Sequence, residues 1–168
     1  MKLINGRGQL GDCLKKYINE DQYKYLDWII YHTWNVEELN NEEIQKNEFN
    51  KFKDFIDNNK DKKICFISTS HVNNSIYILY KIKAEAYIID NVKDFKIIRP
   101  PRLIGKGIFQ KFKEGELPWD DTQMDLMTID EATIKILDCL EHDKKFNYIY
   151  AETLSKTNVY NLIQYGSK

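Results

Sequence analysis

The sequence predicts an α/β fold in which a parallel sheet of about five strands carries helices on both faces. Two observations predict it. Short, continuously apolar segments alternate with helix-length segments along the 168-residue chain. The apolar segments also lack the in–out alternation of a sheet with one wet face, as expected for strands buried on both sides.

The elements follow in order. Lys2 to Asn5 holds Leu3 and Ile4, enough for a first strand, and a glycine cluster comes next. Residues 12–19 place Leu14 and Ile18 four apart, on one helix face. Asp27 to Tyr31 is bulky and β-branched, which suits a buried strand. Residues 37–58 carry Leu39, Ile44, Phe49, Phe52, Phe55 and Ile56 at helical intervals, with Asn58 and Asn59 to end the helix. Lys63 to Ile67 reads as a strand closed by Ser68, Thr69 and Ser70, and residues 75–89 read as a helix. Lys96 to Ile98 is a strand stopped by Pro100 and Pro101, because proline cannot continue a ladder. Residues 130–141 form an amphipathic helix, Tyr148 to Tyr150 a last strand, and residues 157–164 a closing helix.

Composition narrows the function. Hydrophobic residues make up 42% and charged residues 30%, a globular balance that fits one domain over 1–168. The net charge of −1 gives no electrostatic case for nucleic acid. No apolar run approaches the roughly 18 residues of a membrane span. The N-terminus lacks an apolar signal segment, so a cytoplasmic protein is expected. Cys13, Cys65 and Cys139 are odd in number and widely spaced, which suits reduced thiols. With His32, His71 and His142 they form no metal-ligand spacing, so no metal site is expected.

Gly6, Gly8 and Gly11 fit the pattern G-x-G-x-x-G, after a strand and before a helix. That pattern allows a tight turn, a close approach of backbone to pyrophosphate, and helix–strand packing. The helix N-terminus, with Gln9 and Leu10, then offers free N–H groups to phosphate. The alternative is a glycine turn without a ligand. An acidic residue should end a second strand about twenty residues on, to hold an adenosine ribose. At that distance stand Tyr31 and His32 instead.

The order of the remaining motifs resembles the extended short-chain dehydrogenase/reductase family, the NAD-dependent epimerases and dehydratases. Asp27 to His32 resembles the family's fourth strand, and Asn47 its asparagine-led helix. Cys65 to Ser70 resembles the fifth strand with its serine/threonine cluster. Tyr77 and Lys81, followed by Ala84 and Glu85, match Y-x-x-x-K. Ile97 to Gly105 resembles the sixth strand and the approach to the substrate region, and Met127 to Ala132 a helix start. Y-x-x-x-K alone arises by chance in a chain this rich in tyrosine and lysine. Six pieces in family order, spanning nearly the whole chain, carry the resemblance.

The resemblance implies a Rossmann-type domain, and the chain departs from it in length. Family members are usually nearly twice as long. Residues 19–26 cannot hold the usual second and third strands, and the substrate region shrinks to about 101–129. Implied chemistry is hydride transfer with NAD or NADP on a nucleotide-linked sugar, in polysaccharide biosynthesis. Tyr77 would be the acid/base, Lys81 its cationic neighbour, Ser70 or Thr69 the hydrogen-bond donor to substrate oxygen, and Asn47 the keeper of a proton-relay water. Gly6, Gly8, Gln9, Leu10, Gly11, His32, Thr33, Trp34, Ser68, Lys81 and Arg99 would meet the dinucleotide, and Arg102 and Lys106 the substrate. A free tyrosine titrates near 10, so a base at neutral pH needs its pKa lowered by about three units, or roughly 4 kcal/mol. Two alternatives stand beside this: a non-catalytic nucleotide- or protein-binding module, and a structural subunit that dimerises through its first-strand edge.

Overall fold

The computed structural model describes residues 1–4, 6, 8–18, 23, 26–70, 74–105, 110–111, 114–116 and 122–165. Its main sheet has five strands, all parallel: β1 (Lys2–Ile4), β2 (Ile29–Tyr31), β3 (Ile64–Ile67), β4 (Phe95–Arg99) and β7 (Phe146–Tyr148). They lie side by side in sequence order. This is the expected five-stranded parallel sheet without the usual second and third strands. The last strand ends at Tyr148 rather than Tyr150, whose side chain is 81% exposed.

The helices divide between two faces because successive strand residues point opposite ways. On β3, Cys65 and Ile67 face α1 (Gly8–Ile18) and α4 (Ile129–Glu141), against Leu10, Leu14, Ile136 and Leu137. Ile64 and Phe66 face α2 (Glu42–Asp57) and α3 (Ile76–Asn91), against Phe52, Ile56, Ala84 and Ile88. All four β3 residues are buried, which explains the unbroken apolar run. The Phe52 and Phe66 ring centroids stand 4.7 Å apart, and Tyr31 meets Phe52 edge-on at 5.0 Å. Such pairs add about 0.5–1.5 kcal/mol each beyond burial.

Local signals fix the helix ends. Asn41, Ser75 and Thr128 cap α2, α3 and α4 by accepting the N–H groups of Ile44, Ile78 and Glu131. Below the sheet, buried Lys96 donates to the carbonyls of His142 and Lys144, just past the end of α4.

A second sheet joins β5 (Arg102–Ile104), β6 (Gln123–Thr128) and β8 (Glu152–Ser155), ahead of α5 (Lys156–Tyr165). β5 runs parallel to β6 and β8 antiparallel to it. The sequence reading placed no strands in these three segments.

Candidate functional site

A cleft of about 880 Å³ opens above the C-terminal ends of β2, β3 and β4. That is where open parallel sheets bind ligands, since the strand ends and helix N-termini converge there. Four chain segments build its wall: the start of α1, the link after β2, the end of β3 and the first turns of α3. The link after β4 and β5 closes the remaining side.

The three glycines take different roles. A Cβ on Gly6 would stand 2.1 Å from Leu3 Cδ2, and one on Gly11 2.4 Å from the backbone carbon of Gly6. Gly11 therefore lets α1 pack against the backbone after β1, Gly6 abuts the Leu3 side chain of β1, and neither lines the cleft. Gly8 lies on the cleft wall with φ +75, and the space where its Cβ would stand is open. Gln9 and Leu10 line the same corner.

Lys81 lies at the centre of the opposite wall. Its side chain is buried, and Nζ donates to the Ile67 carbonyl at 2.9 Å. The same nitrogen is 4.5 Å from the Phe66 ring centre, 4.6 Å from Trp34 and 5.8 Å from Tyr77. Ring faces attract a cation, yet they do not replace its water. Burial thus pulls the amine down to about 7, against the upward pull of Glu85 and Glu48. Burial and the Lys81 charge hold His32 at about 4, so it is neutral at physiological pH.

Tyr77 shares the cleft with Lys81, one helical turn away, as the spacing implies. Its phenol differs from the expectation. Burial pushes it up to about 12, so Lys81 does not make it a base in the free chain. At neutral pH the hydroxyl holds its proton.

Ser68 and Thr69 line the cleft at the end of β3. Ser68 is 6% exposed, and its Oγ is the buried side-chain oxygen without a hydrogen-bond partner among the described residues. Such an atom costs about 1–3 kcal/mol unless something else satisfies it. Ser70 does not line the cleft; its backbone N–H donates to the Pro100 carbonyl at 3.0 Å.

Asn47, Arg99, Gly6, Gly11 and Ser70 do not line the cleft. Asn47 lies on the exposed face of α2, because the buried face runs through Gln45, Glu48, Phe52 and Ile56. Gln45 does the local work: it accepts from Trp34 Nε1 at 2.7 Å and donates to the carbonyls of Asn35 and Glu38. Helical spacing back from Phe52 and Ile56 was the signal that singles it out. Arg99 does not reach the cleft. Its guanidinium pairs with both carboxylate oxygens of Glu85 and stacks on the Tyr148 ring at 4.8 Å. His32, Thr33, Trp34 and Arg102 line the cleft, with Arg102 exposed at the start of β5. Lys106 lies outside the described residues.

No family model and no curated protein matches the chain. Solved structures do. One is a dTDP-4-dehydrorhamnose reductase from Bacillus anthracis str. Ames in complex with NADP. Identity is 14%, the TM-score is 0.76, and the match covers 99% of this chain and 81% of that one. Another is a UDP-N-acetylglucosamine 4-epimerase from Bacillus cereus, at 13% identity and TM-score 0.69, covering 99% and 84%. A third is the Bordetella bronchiseptica enzyme WbmG in complex with NAD, at 12% identity and TM-score 0.65, covering 95% of this chain and 61% of WbmG. At these identities the likeness is one of fold: the chain shares the Rossmann-like architecture of these proteins. No described helix is long and apolar enough to cross a membrane.

Proposed function

We propose that the chain is a cytoplasmic member of the extended short-chain dehydrogenase/reductase family, an NAD(P)-dependent reductase, epimerase or dehydratase acting on a nucleotide-linked sugar in polysaccharide biosynthesis. The observation that carries this is convergence. Gly8, Ser68, Thr69, Tyr77 and Lys81 come from three separate elements and line one cleft at the strand ends. Two of the structural neighbours are by name a dTDP-4-dehydrorhamnose reductase and a UDP-N-acetylglucosamine 4-epimerase, and the reductase and WbmG are in complex with NADP and NAD.

The residues present fit a nicotinamide cofactor. Ser68 Oγ offers a buried hydrogen bond that the described protein does not use, and Gly8 leaves open the space a side chain would fill. Such a cofactor supplies or accepts the hydride. The chain's own part is proton handling and positioning. Tyr77 holds its proton at neutral pH in the free chain, where burial raises its pKa. To give that proton to a carbonyl oxygen, the direction of reduction, it needs the bound substrate and Lys81 to bring that pKa down towards neutrality. Thr69 hydrogen-bonds that oxygen, Lys81 in its protonated form supplies positive charge one helical turn from Tyr77, and Arg102 meets a substrate phosphate at the rim.

A second reading, a non-catalytic nucleotide-binding module, rests on the same Tyr77, whose pKa of about 12 lies further from neutrality than that of a free tyrosine. Thermal-shift titration with NAD, NADH, NADP and NADPH tests binding. A ligand at 100 times its Kd should add about 2.7 kcal/mol of stability. No shift with any of the four at millimolar concentration would sink both readings of the cleft as a dinucleotide site. Hydride transfer to UDP- or dTDP-linked keto sugars, abolished in Tyr77→Phe, separates enzyme from module.

A further inference from the structure

We infer that the cleft grips only the nicotinamide and phosphate half of a dinucleotide, and that the chain therefore does not distinguish NAD from NADP; this rests on the reading of the cleft as a dinucleotide site. In a doubly wound sheet a dinucleotide straddles the first strand, where the strand order reverses. One half lies over the strands on either side, and the pyrophosphate sits at the first helix N-terminus. Here the order runs β1, β2, β3, β4, β7 with no reversal. Among the described strands β1 pairs with β2 alone, so it forms the sheet edge.

The connection confirms the missing half. Only residues 19–28 separate α1 from β2. A crossover with its own helix needs at least 10–12 residues besides the strands it joins. Two further strands with a helix cannot be housed there. No described strand lies beyond β1, so among the described residues no strand end stands there to tell a 2′-phosphate from a 2′-hydroxyl.

The other half is built. Beyond the α1 corner the cleft is lined by residues at and after the ends of β2, β3 and β4, by the first turns of α3, and by β5, Lys111 and Ile129. Ser68 Oγ, without a hydrogen-bond partner among the described residues, lies on that side, on a residue that is 6% exposed.

Competition binding tests this with NADH, NADPH, reduced nicotinamide mononucleotide and ADP. The expected result is that the three nicotinamide ligands bind within about threefold of one another and ADP fails to compete. Ser68→Ala should weaken all three by the same factor, about tenfold, the loss of roughly one hydrogen bond. It should also leave the free protein at least as stable as the parent, because the hydroxyl is unpaired there. NADH binding more than about thirtyfold tighter than the mononucleotide would overturn the inference and leave the dinucleotide reading standing. So would a tenfold preference between NADH and NADPH. Failure of all three nicotinamide ligands to bind would overturn both.

Discussion

Trp34 and Gln45 are joined by a 2.7 Å hydrogen bond, from the indole Nε1 to the amide Oε1, and this pair fixes the wall of the cleft after β2. The Gln45 Nε2 group closes the arrangement on the Asn35 and Glu38 carbonyls at 3.1 and 2.9 Å. Gln45 is wholly buried, so water cannot replace it.

Gln45→Leu keeps volume and removes all three bonds. The indole N–H is stranded in a buried setting, at a cost of about 1–3 kcal/mol. Urea denaturation should show that loss in the midpoint with an unchanged slope. Ligand affinity should fall with it, since Trp34 also faces Lys81. Asn47→Ala, on the exposed face, should alter neither quantity. Equal effects of the two substitutions would refute the assignment.

Glu85 and Arg99 form the other fixed pair. The guanidinium is 21% exposed and the carboxylate 9%, and the hydrogen-bonded Glu85 raises the arginine pKa. Glu85→Ala leaves a largely buried cation uncompensated and should cost about 3 kcal/mol. Replacing both by Glu85→Leu with Arg99→Met should recover most of that. A double-mutant cycle in which the single and double changes simply add would show that the pair is not coupled.

Much of this was legible in the sequence, and the boundary has a physical cause. Strands buried on both faces, such as Ile64 to Ile67, announce themselves by composition alone. So do caps such as Asn41 and Ser75, which act within three residues of themselves. Tyr77 and Lys81 sit on one helix face by spacing, and the cleft followed. The second sheet was not legible. Its strands are short and partly exposed, and Leu126 pairs with Glu152 across the length of α4 and β7. The pairing of Arg99 with Glu85 was not legible for a similar reason: the partner belongs to another element, and sequence gives no register between a strand end and a helix face.

His32 predicts acid sensitivity. Its folded pKa is about 4 and its unfolded value about 6.5, so between those limits the unfolded chain holds a proton that the folded chain lacks. Its contribution to stability therefore rises with pH from 4 to 6.5 and is constant above. The slope should approach, and not exceed, about 1.4 kcal/mol per pH unit. Thermal unfolding between pH 4 and 7 should show this slope in the parent and a flatter profile in His32→Gln. An identical profile in both would place the effect elsewhere.

Lys81 predicts the opposite of what a stabilising residue would. Its folded pKa of about 7 lies below the unfolded value near 10.4, so the folded chain disfavours the charged amine. From pH 7 to 10.4 the unfolded chain binds the extra proton, and stability rises with pH across that window. Below 7 both states are charged and the full penalty persists. The carbonyl of Ile67 and three ring faces offset only part of it. Lys81→Met should therefore stabilise the chain at pH 7, by about 1–4 kcal/mol, and the gain should shrink towards pH 10. The same variant should lose nicotinamide-ligand binding, because a residue kept at a cost to the fold is kept for what it contacts. Calorimetric unfolding at pH 7 and pH 10 measures the first effect and ligand titration the second. A destabilised Lys81→Met at pH 7 would mean that the amine is held by partners stronger than those described.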